Sequence, residues 1–423
     1  MLEIAYVRNH PDDVVYRLKK RGIDAQETVS AMLAIDQKRR ENQLALDQLN
    51  AESKQLAKTI GGLFKEGKKE EAEQKKQRTA EIKQESQHLQ EESRRIKEQL
   101  THHLYQLPNL PHESVPAGHS DTDNELVADH TFAVELHDKA VPHWELAARY
   151  QLIDFEAGNK VTGAGFPFYR GQGARLQRAL KSFFLDEAEA AGYTEYQPPL
   201  LVNEATGAGT GQLPDKEGQM YHAEKDDLYL IPTAEVPLTN LYRDEMVSAA
   251  ELPIRMCGYT PCFRREAGSY GKDVRGLNRL HQFDKVEIVQ IAHPDESYRI
   301  LDEMVAYVSG LLQKLNLPFR IMRLCGGDLG FAAALTYDFE VWSAAQERYL
   351  EVSSVSNFET FQANRMKLRV KDQEGQRFLA HTLNGSAMAF PRILAALLEN
   401  GQSPEGIHVP EVLRPYAGFD YVH

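Results

Sequence analysis

Cysteine is scarce: Cys257, Cys262 and Cys325 are the only three in 423 residues, an odd number with no C-x-x-C pair. A disulfide framework or a thiolate zinc centre is therefore not expected, and a reducing compartment is. No apolar run approaches the ~20 residues that cross a bilayer. The opening MLEIAYVRNHPDD lacks the apolar stretch of a secretory signal and the Arg/Ser-rich texture of a transit peptide, so a cytoplasmic location is expected. Proline is absent from residues 28–105, where aromatics are also few. Positive charge is short overall: the net of −13 disfavours indiscriminate nucleic-acid binding but permits a local basic patch.

Several catalytic patterns are missing as well. Gly207-Ala-Gly209-Thr-Gly211 runs into Gln212-Leu213-Pro214, so no helix can begin there to receive a phosphate, as a dinucleotide-binding loop requires. Cys325-Gly-Gly-Asp-Leu-Gly330 has no Lys-Ser/Thr and is not a P-loop. Neither H-E-x-x-H nor G-x-S-x-G occurs.

What the proline-free segment contains is heptad spacing. Met32, Ile35, Leu46, Leu49, Leu56, Ile60 and Leu63 share one register, with Arg39, Asn42 and Ser53 at its remaining sites. Ile82, Leu89 and Ile96 share a second, which Leu100 and Leu107 continue. Such seams belong to helices that bury a narrow stripe against a partner. Gly61-Gly62 through Gly67 reads as a helix breaker and turn between them. The expectation is an antiparallel coiled-coil hairpin with about 33 residues per arm, roughly 50 Å long. Between Glu52 and Glu98, 12 Lys/Arg stand against 10 Asp/Glu, a net of +2 that leaves −15 for the rest. Lys54, Lys58, Lys65, Lys68 and Lys69 approach the tip, and Lys75, Lys76 and Arg78 leave it. By pattern alone the arm is either a dimerisation rod or a grip for a phosphate backbone.

After residue 110 the texture changes, with a polar linker expected at 111–130 and a second domain at 131–423. Helices are expected at 175–191 and 294–315, the latter with Leu301, Met304, Val305, Val308, Leu311, Leu312 and Leu315 on one face. Strands are expected at 228–236, 254–264, 281–292, 319–325, 336–343 and 348–355. Adjacent strands without intervening helices favour an antiparallel sheet, hence an α+β fold.

Four stretches carry polar groups that a packed sheet does not need. FRREAGSYGKDVRGLNRLHQFDKVE surrounds a glycine-rich turn with cations, and reads as Arg264 ending a strand with Glu266 on the same pleat face. An arginine fork suits phosphate, and Phe283 on the returning strand suits a base, although an exposed basic hairpin has the same local pattern. PTAEVPLTN places Thr233 and Glu235 on one strand face, and YLEVSSVSNF places Glu351 and Ser353 on one face with Ser354 beside them. HTLNGSAMAFPRILAALLEN passes from strand to helix through Asn384, Gly385 and Ser386, with Pro391 and Arg392 in the opening turns. Taken alone, Ser386 reads as a helix N-cap. Together the four supply carboxylates for an amine and a metal, and cations for a polyanion.

These stretches resemble the motifs of the bacterial-type seryl-tRNA synthetases, a class II aminoacyl-tRNA synthetase family, over essentially the full length. GYTEYQPPLLV is similar to the first class motif, with its proline at Pro199 and a role in a dimer interface. FRREAGSYGKDVRGLNRLHQFDKVE is similar to the second and LNGSAMAFPRILAALLEN to the third, while TAEVPLTN, TGQLP and EVSSVSN resemble the seryl branch. The resemblance implies a class II catalytic domain with a mainly antiparallel sheet flanked by helices, behind an N-terminal tRNA-binding hairpin. It implies that L-serine is activated with ATP to seryl-adenylate and then transferred to tRNA(Ser) and tRNA(Sec), with Mg2+, no zinc, and a homodimer.

By the same resemblance each residue has an expected role. Thr233, Ala234 and Glu235 take the serine ammonium, and Glu287, Asn384 and Ser386 read its hydroxyl. Arg264 holds the serine carboxylate and the α-phosphate, with Arg392 on the γ-phosphate and Arg279 nearby. Glu266 meets the adenine amino group, Phe283 stacks on the ring and Leu280 lines its pocket. Arg265, Val352 and Ser353 join the ATP contacts, and Glu351 and Ser354 hold magnesium. Arg264, Arg392 and Glu351 are the expected catalytic groups. Arg265 and Val355 depart from the common serine and cysteine, and 387–391 is bulkier than the glycine-containing form, but no liganding group is lost. The alternatives are an amino acid:carrier-protein ligase, whose relatives lack the arm, and a nonenzymatic coiled-coil scaffold, which would not need Arg264, Glu351 and Arg392.

Overall fold

The computed structural model describes residues 1–215, 218–266 and 275–423. Most of the glycine-rich turn of the second motif, residues 267–274, lies outside the described residues. Tertiary contacts divide the chain into two units, one of Leu2–Lys19 with Ile23–Pro108 and the other essentially Asn109–His423 with Lys20–Gly22.

In the first unit the two heptad registers become helices Gln26–Lys65 and Lys69–Gln106, longer than expected at 40 and 38 residues. At ~1.5 Å per residue each is nearly 60 Å long. Met32, Leu63, Ile82, Ile96 and Leu100 are buried along the seam. Gly61-Gly62 does not break the helix, contrary to the sequence reading. Two glycines cost about 2 kcal/mol of helix propensity, and burying Leu63 and part of Ile60 on the seam offsets a cost of that size. The reversal comes later, where Gly67 takes φ +79°. There the Lys68 N–H donates to the Leu63 carbonyl at 3.0 Å and the Gly67 N–H to Phe64 at 3.3 Å, a Schellman cap.

Polar contacts set the register of the two arms. Arg78 grips Glu52 through Nε at 2.9 Å and Nη2 at 3.1 Å, and Asn42 Nδ2 donates to Glu92 at 3.1 Å. The buried polar residue near the base is Asp36, 1% exposed, and not Arg39. Burial works against its carboxylate, but Arg8 and Arg39, both at 2.8 Å, outweigh it and hold the carboxyl below its usual range.

The second unit is built on an eight-stranded sheet. Its strands are β1 (Glu125–His130), β2 (Thr194–Glu195), β3 (Ile254–Phe263), β4 (Gln282–Ala292), β5 (Phe319–Arg323), β6 (Leu335–Ser343), β7 (Arg348–Asn357) and β8 (His381–Ala389). The order across the sheet is β1-β5-β6-β7-β8-β4-β3-β2, antiparallel throughout except for the β2–β3 pair. Thus part of the expected linker is an edge strand, because Glu125–His130 finds the free backbone groups of β5. Helices Gly171–Ala190, Ser297–Lys314 and Phe390–Asn400 pack on the sheet, and Phe184, Met304, Ile288, Val355 and Phe390 meet in their common core. Val305 is only partly buried there.

Three local expectations are corrected. The 228–236 strand stops at Leu230 and a helix begins at Glu235, because Pro232 has no N–H for a ladder and the Thr233 hydroxyl accepts the Glu235 N–H at 3.2 Å. β3 ends at Phe263, and Glu266 has φ +49°, so Arg264 and Glu266 do not share a pleat face. Ser386 is not an N-cap: β8 continues to Ala389, paired to β4 and β7 along part of its length. The helix starts only at Phe390, with Pro391 in the first turn, where a missing N–H costs nothing.

Candidate active site

β4 divides its side chains between two environments. Val286 and Ile288 enter the helix-side core, while Phe283, Lys285 and Glu287 line a cavity of about 670 Å3. This cavity has two chemically distinct ends.

One end is acidic and deeply buried. Glu287, 1% exposed, accepts from the Thr233 hydroxyl at 3.0 Å and is ion-paired with Lys285. Ser386 stands opposite Glu287 on β8. Glu235, 5% exposed, accepts from Gln362 Nε2 at 2.7 Å. Burial pushes its carboxyl up to about 7, and the nearby Glu287 charge adds to this, against the pull of Gln362, Lys285 and Arg264. Two carboxylates facing a small cavity suit an ammonium group, and the hydroxyls beside them suit a donor on the same molecule.

The other end is cationic. Arg264 leaves the end of β3 with its guanidinium 5.2 Å from the centre of the Phe283 ring, and its Nε donates to the Pro232 carbonyl at 3.4 Å. Arg279 is ion-paired with Glu266. Arg392, in the first turn of Phe390–Asn400, donates from Nη1 to the Glu351 carbonyl at 2.7 Å and from Nε to the Asn278 carbonyl at 3.0 Å. Three guanidiniums at one end suit a polyanion, and an aromatic face between them suits a ring stacked on it.

A bulge decides the third feature. The β6–β7 register shifts between Phe339 and Glu340, so Asp338 pairs with Ser354 while Glu340 pairs with Glu351. Because Asp338 and Glu340 are two apart on one strand, Glu351 and Ser354 share a face despite being three apart. The predicted pairing of Glu351 with Ser353 is thereby overturned; the Ser353 hydroxyl donates instead to the Ser386 carbonyl at 2.5 Å. Asp338 faces the same cavity, and its Oδ1 is buried with no hydrogen-bond partner among the described residues.

Of the predicted site residues, the cavity gathers all but Ala234 and Arg265. Ala234 is fully buried, and Arg265 is exposed with its N–H on the Gln219 carbonyl at 2.8 Å. Sequence reasoning missed Lys285, Gln362 and Asp338. Lys285 had a signal, falling midway between Phe283 and Glu287 at the strand period. Asp338 had a weaker one, alternating with Glu340 in an apolar strand. Gln362 had none, since it meets Glu235 from 127 residues away.

Residues 1–111 match the family profile described as "Seryl-tRNA synthetase N-terminal domain", and residues 219–401 match "tRNA synthetase class II core domain (G, H, P, S and T)". The serine–tRNA ligase of Salinibacter ruber is 53% identical, covering 99% of this chain and 98% of its own; that of Akkermansia muciniphila is 46% identical, covering 100% and 99%. The crystal structure of seryl-tRNA synthetase from Pyrococcus horikoshii complexed with ATP superposes with a TM-score of 0.93 at 33% identity, over 100% of this chain and 99% of that one. With the two-ended cavity on a class II sheet and relatives of this identity along its whole length, the chain belongs to the seryl-tRNA synthetase family, the serine–tRNA ligases.

Proposed function

We propose that the cavity activates L-serine with ATP and that the N-terminal arm presents the tRNA that receives it. One observation carries this reading: a buried acidic, hydroxyl-bearing end and a triple-arginine end share one cavity. Thr233 and Glu235 take the serine ammonium, with the Ala234 backbone between them. Glu287, Asn384 and Ser386 take its hydroxyl, and Lys285 balances the Glu287 charge. Arg264, between the two ends, holds the serine carboxylate against the α-phosphate. Arg392 holds the γ-phosphate, with Arg279 beside it. Phe283 and Leu280 enclose the adenine and Glu266 meets its amino group, exchanging part of its pairing with Arg279.

Glu351 and Ser354 would hold magnesium, and Asp338 offers a further acceptor through its unpartnered Oδ1. Two carboxylates and a hydroxyl leave places for phosphate oxygens and water, as Mg2+ prefers. Bound there, the ion would neutralise phosphate charge.

The serine carboxylate oxygen attacks the α-phosphorus, and the bond to pyrophosphate breaks as that bond forms. A terminal adenosine hydroxyl of the tRNA then attacks the acyl carbon, releasing AMP and its own proton. No side chain becomes covalently attached. Arg264 and Arg392 act by alignment and charge neutralisation, which suffices for large accelerations.

Residues 1–110 form the tRNA-binding domain, which takes the long variable arm of tRNA(Ser) and of tRNA(Sec); the catalytic domain runs from 131 to 423 together with the edge strand before it. The chain works as a cytoplasmic homodimer. Among the described residues no helix is long and apolar enough to cross a membrane. Pyrophosphate exchange with each of the twenty amino acids tests the reading: serine should support exchange, and equal exchange with another amino acid, or none with serine, would refute it.

A further inference from the structure

Glu399 and His143 are both fully buried, and neither lines the cavity. Glu399 lies two turns beyond Arg392 on the helix Phe390–Asn400, and His143 opens the helix His143–Arg149. Glu399 Oε1 accepts from the His143 backbone N–H at 2.9 Å, from His143 Nδ1 at 2.6 Å and from Gln346 Nε2 at 2.9 Å, and the Ser343 hydroxyl donates to Oε2. His143 Nε2 accepts the Leu277 N–H at 2.8 Å, which leaves the ring proton on Nδ1. Gly276, at φ +66°, permits that approach, because a Cβ there would stand 2.3 Å from Nε2.

The network returns to the cavity through Asn278. Its Nδ2 donates to Gln346 Oε1 at 3.0 Å, and its carbonyl accepts from Arg392 Nε at 3.0 Å. Arg392, Asn278, Gln346 and Glu399 therefore close a ring, completed along one helix, and His143 braces it at Leu277. Apolar residues of similar volume would often stabilise a fold as well as a buried charged network does. What the hydrogen bonds add is geometry: the Asn278 carbonyl is held where it orients a guanidinium.

We infer that His143 and Glu399 are positioning residues for the nucleotide site, fixing Leu277 and Asn278 so that Arg392 is aimed at the triphosphate. This rests on the reading of Arg392 as a phosphate ligand. The test is calorimetric binding of ATP and of AMP to the full-length chain carrying His143→Ala, Gln346→Ala, Arg392→Ala, and each of the first two combined with the third. Each single substitution should weaken ATP about tenfold and AMP less than about threefold. In the Arg392→Ala background neither second substitution should add, because the coupled groups act as one. Glu399→Gln should stay near the parent, since the Ser343 hydroxyl can turn to accept from the new amide. Gln346 is only partly buried, so its variant carries the test if His143→Ala fails to fold. Additive losses, equal losses of ATP and AMP, or undiminished ATP binding in Gln346→Ala while Arg392→Ala is weakened would overturn the inference. Unchanged ATP binding in Arg392→Ala would instead remove the phosphate reading, and this inference with it.

Discussion

The Glu235 carboxylate leans on a neutral amide, Gln362 Nε2 at 2.7 Å, and burial pushes its carboxyl up to about 7. Below that value it holds a proton and offers an ammonium little; above it the ionised form pairs with the ammonium. The KM for serine should therefore rise as pH falls, by about fivefold from pH 7 to pH 6. Glu235→Gln should bind serine weakly and without that dependence, and serine-dependent pyrophosphate exchange between pH 6 and 8.5 measures both. A KM that stays constant across this range in the parent would separate Glu235 from the ammonium. Glu287 has a different task. A site built around a substrate hydroxyl rejects the analogue lacking it by roughly 10⁴–10⁵, so Glu287→Ala should collapse the preference for serine over alanine and cut activation severely. The same change leaves buried Lys285 without its ion-pair partner, a loss of about 3–5 kcal/mol, so melting must be followed alongside. Unchanged serine kinetics in a folded Glu287→Ala protein would remove Glu287 from the pocket.

At the scale of the element, the arm should be separable from the chemistry. Asn42–Glu92 and Glu52–Arg78 set its register, so a balanced cut replaces residues 45–89 by a short Gly-Ser turn and keeps Asn42–Glu92 as the last polar rung. Serine-dependent exchange should stay within about threefold of the parent, because every proposed ligand lies beyond residue 230 and in the other unit. Aminoacylation should fall by orders of magnitude, and the steep salt dependence of tRNA binding should disappear with the lost Lys/Arg contacts. Intact aminoacylation after the cut would make the arm a scaffold. The heptads and the glycine-bearing 61–67 stretch made this element and its turn legible in the sequence, though not which glycine turns the chain: Gly61-Gly62 stays helical and Gly67, at positive φ, makes the reversal.

For the whole molecule, the proposed homodimer has a candidate surface in the first motif. Leu200 and Leu201 are 36% and 45% exposed beside Pro199, while the neighbouring Val202 turns inward. Adjacent exposed leucines at a strand end are a patch that a second copy would cover. Sedimentation at micromolar concentration should show a species near twice 47.9 kDa, and Leu200→Asp with Leu201→Asp should shift it to the monomer. A single 47.9 kDa species in the parent would defeat the proposal.

The sequence by itself determined the parts whose cause is local or periodic: the heptad arm, the α+β class, the long strands and the polar stretches that carry the site. It pointed to Arg264, Glu266, Glu235, Glu351 and Arg392 by local pattern, whereas Glu287 and Arg279 came only with the family resemblance and Asp338 was missed. Only the tertiary structure decided which groups touch. Gln362 under Glu235 and the ring from Arg392 through Asn278 and Gln346 to Glu399 join residues distant in the chain, and the bulge that brings Glu351 and Ser354 to one face is set by how β7 pairs with β6. Their partners come from sheet order and register, which no single stretch encodes.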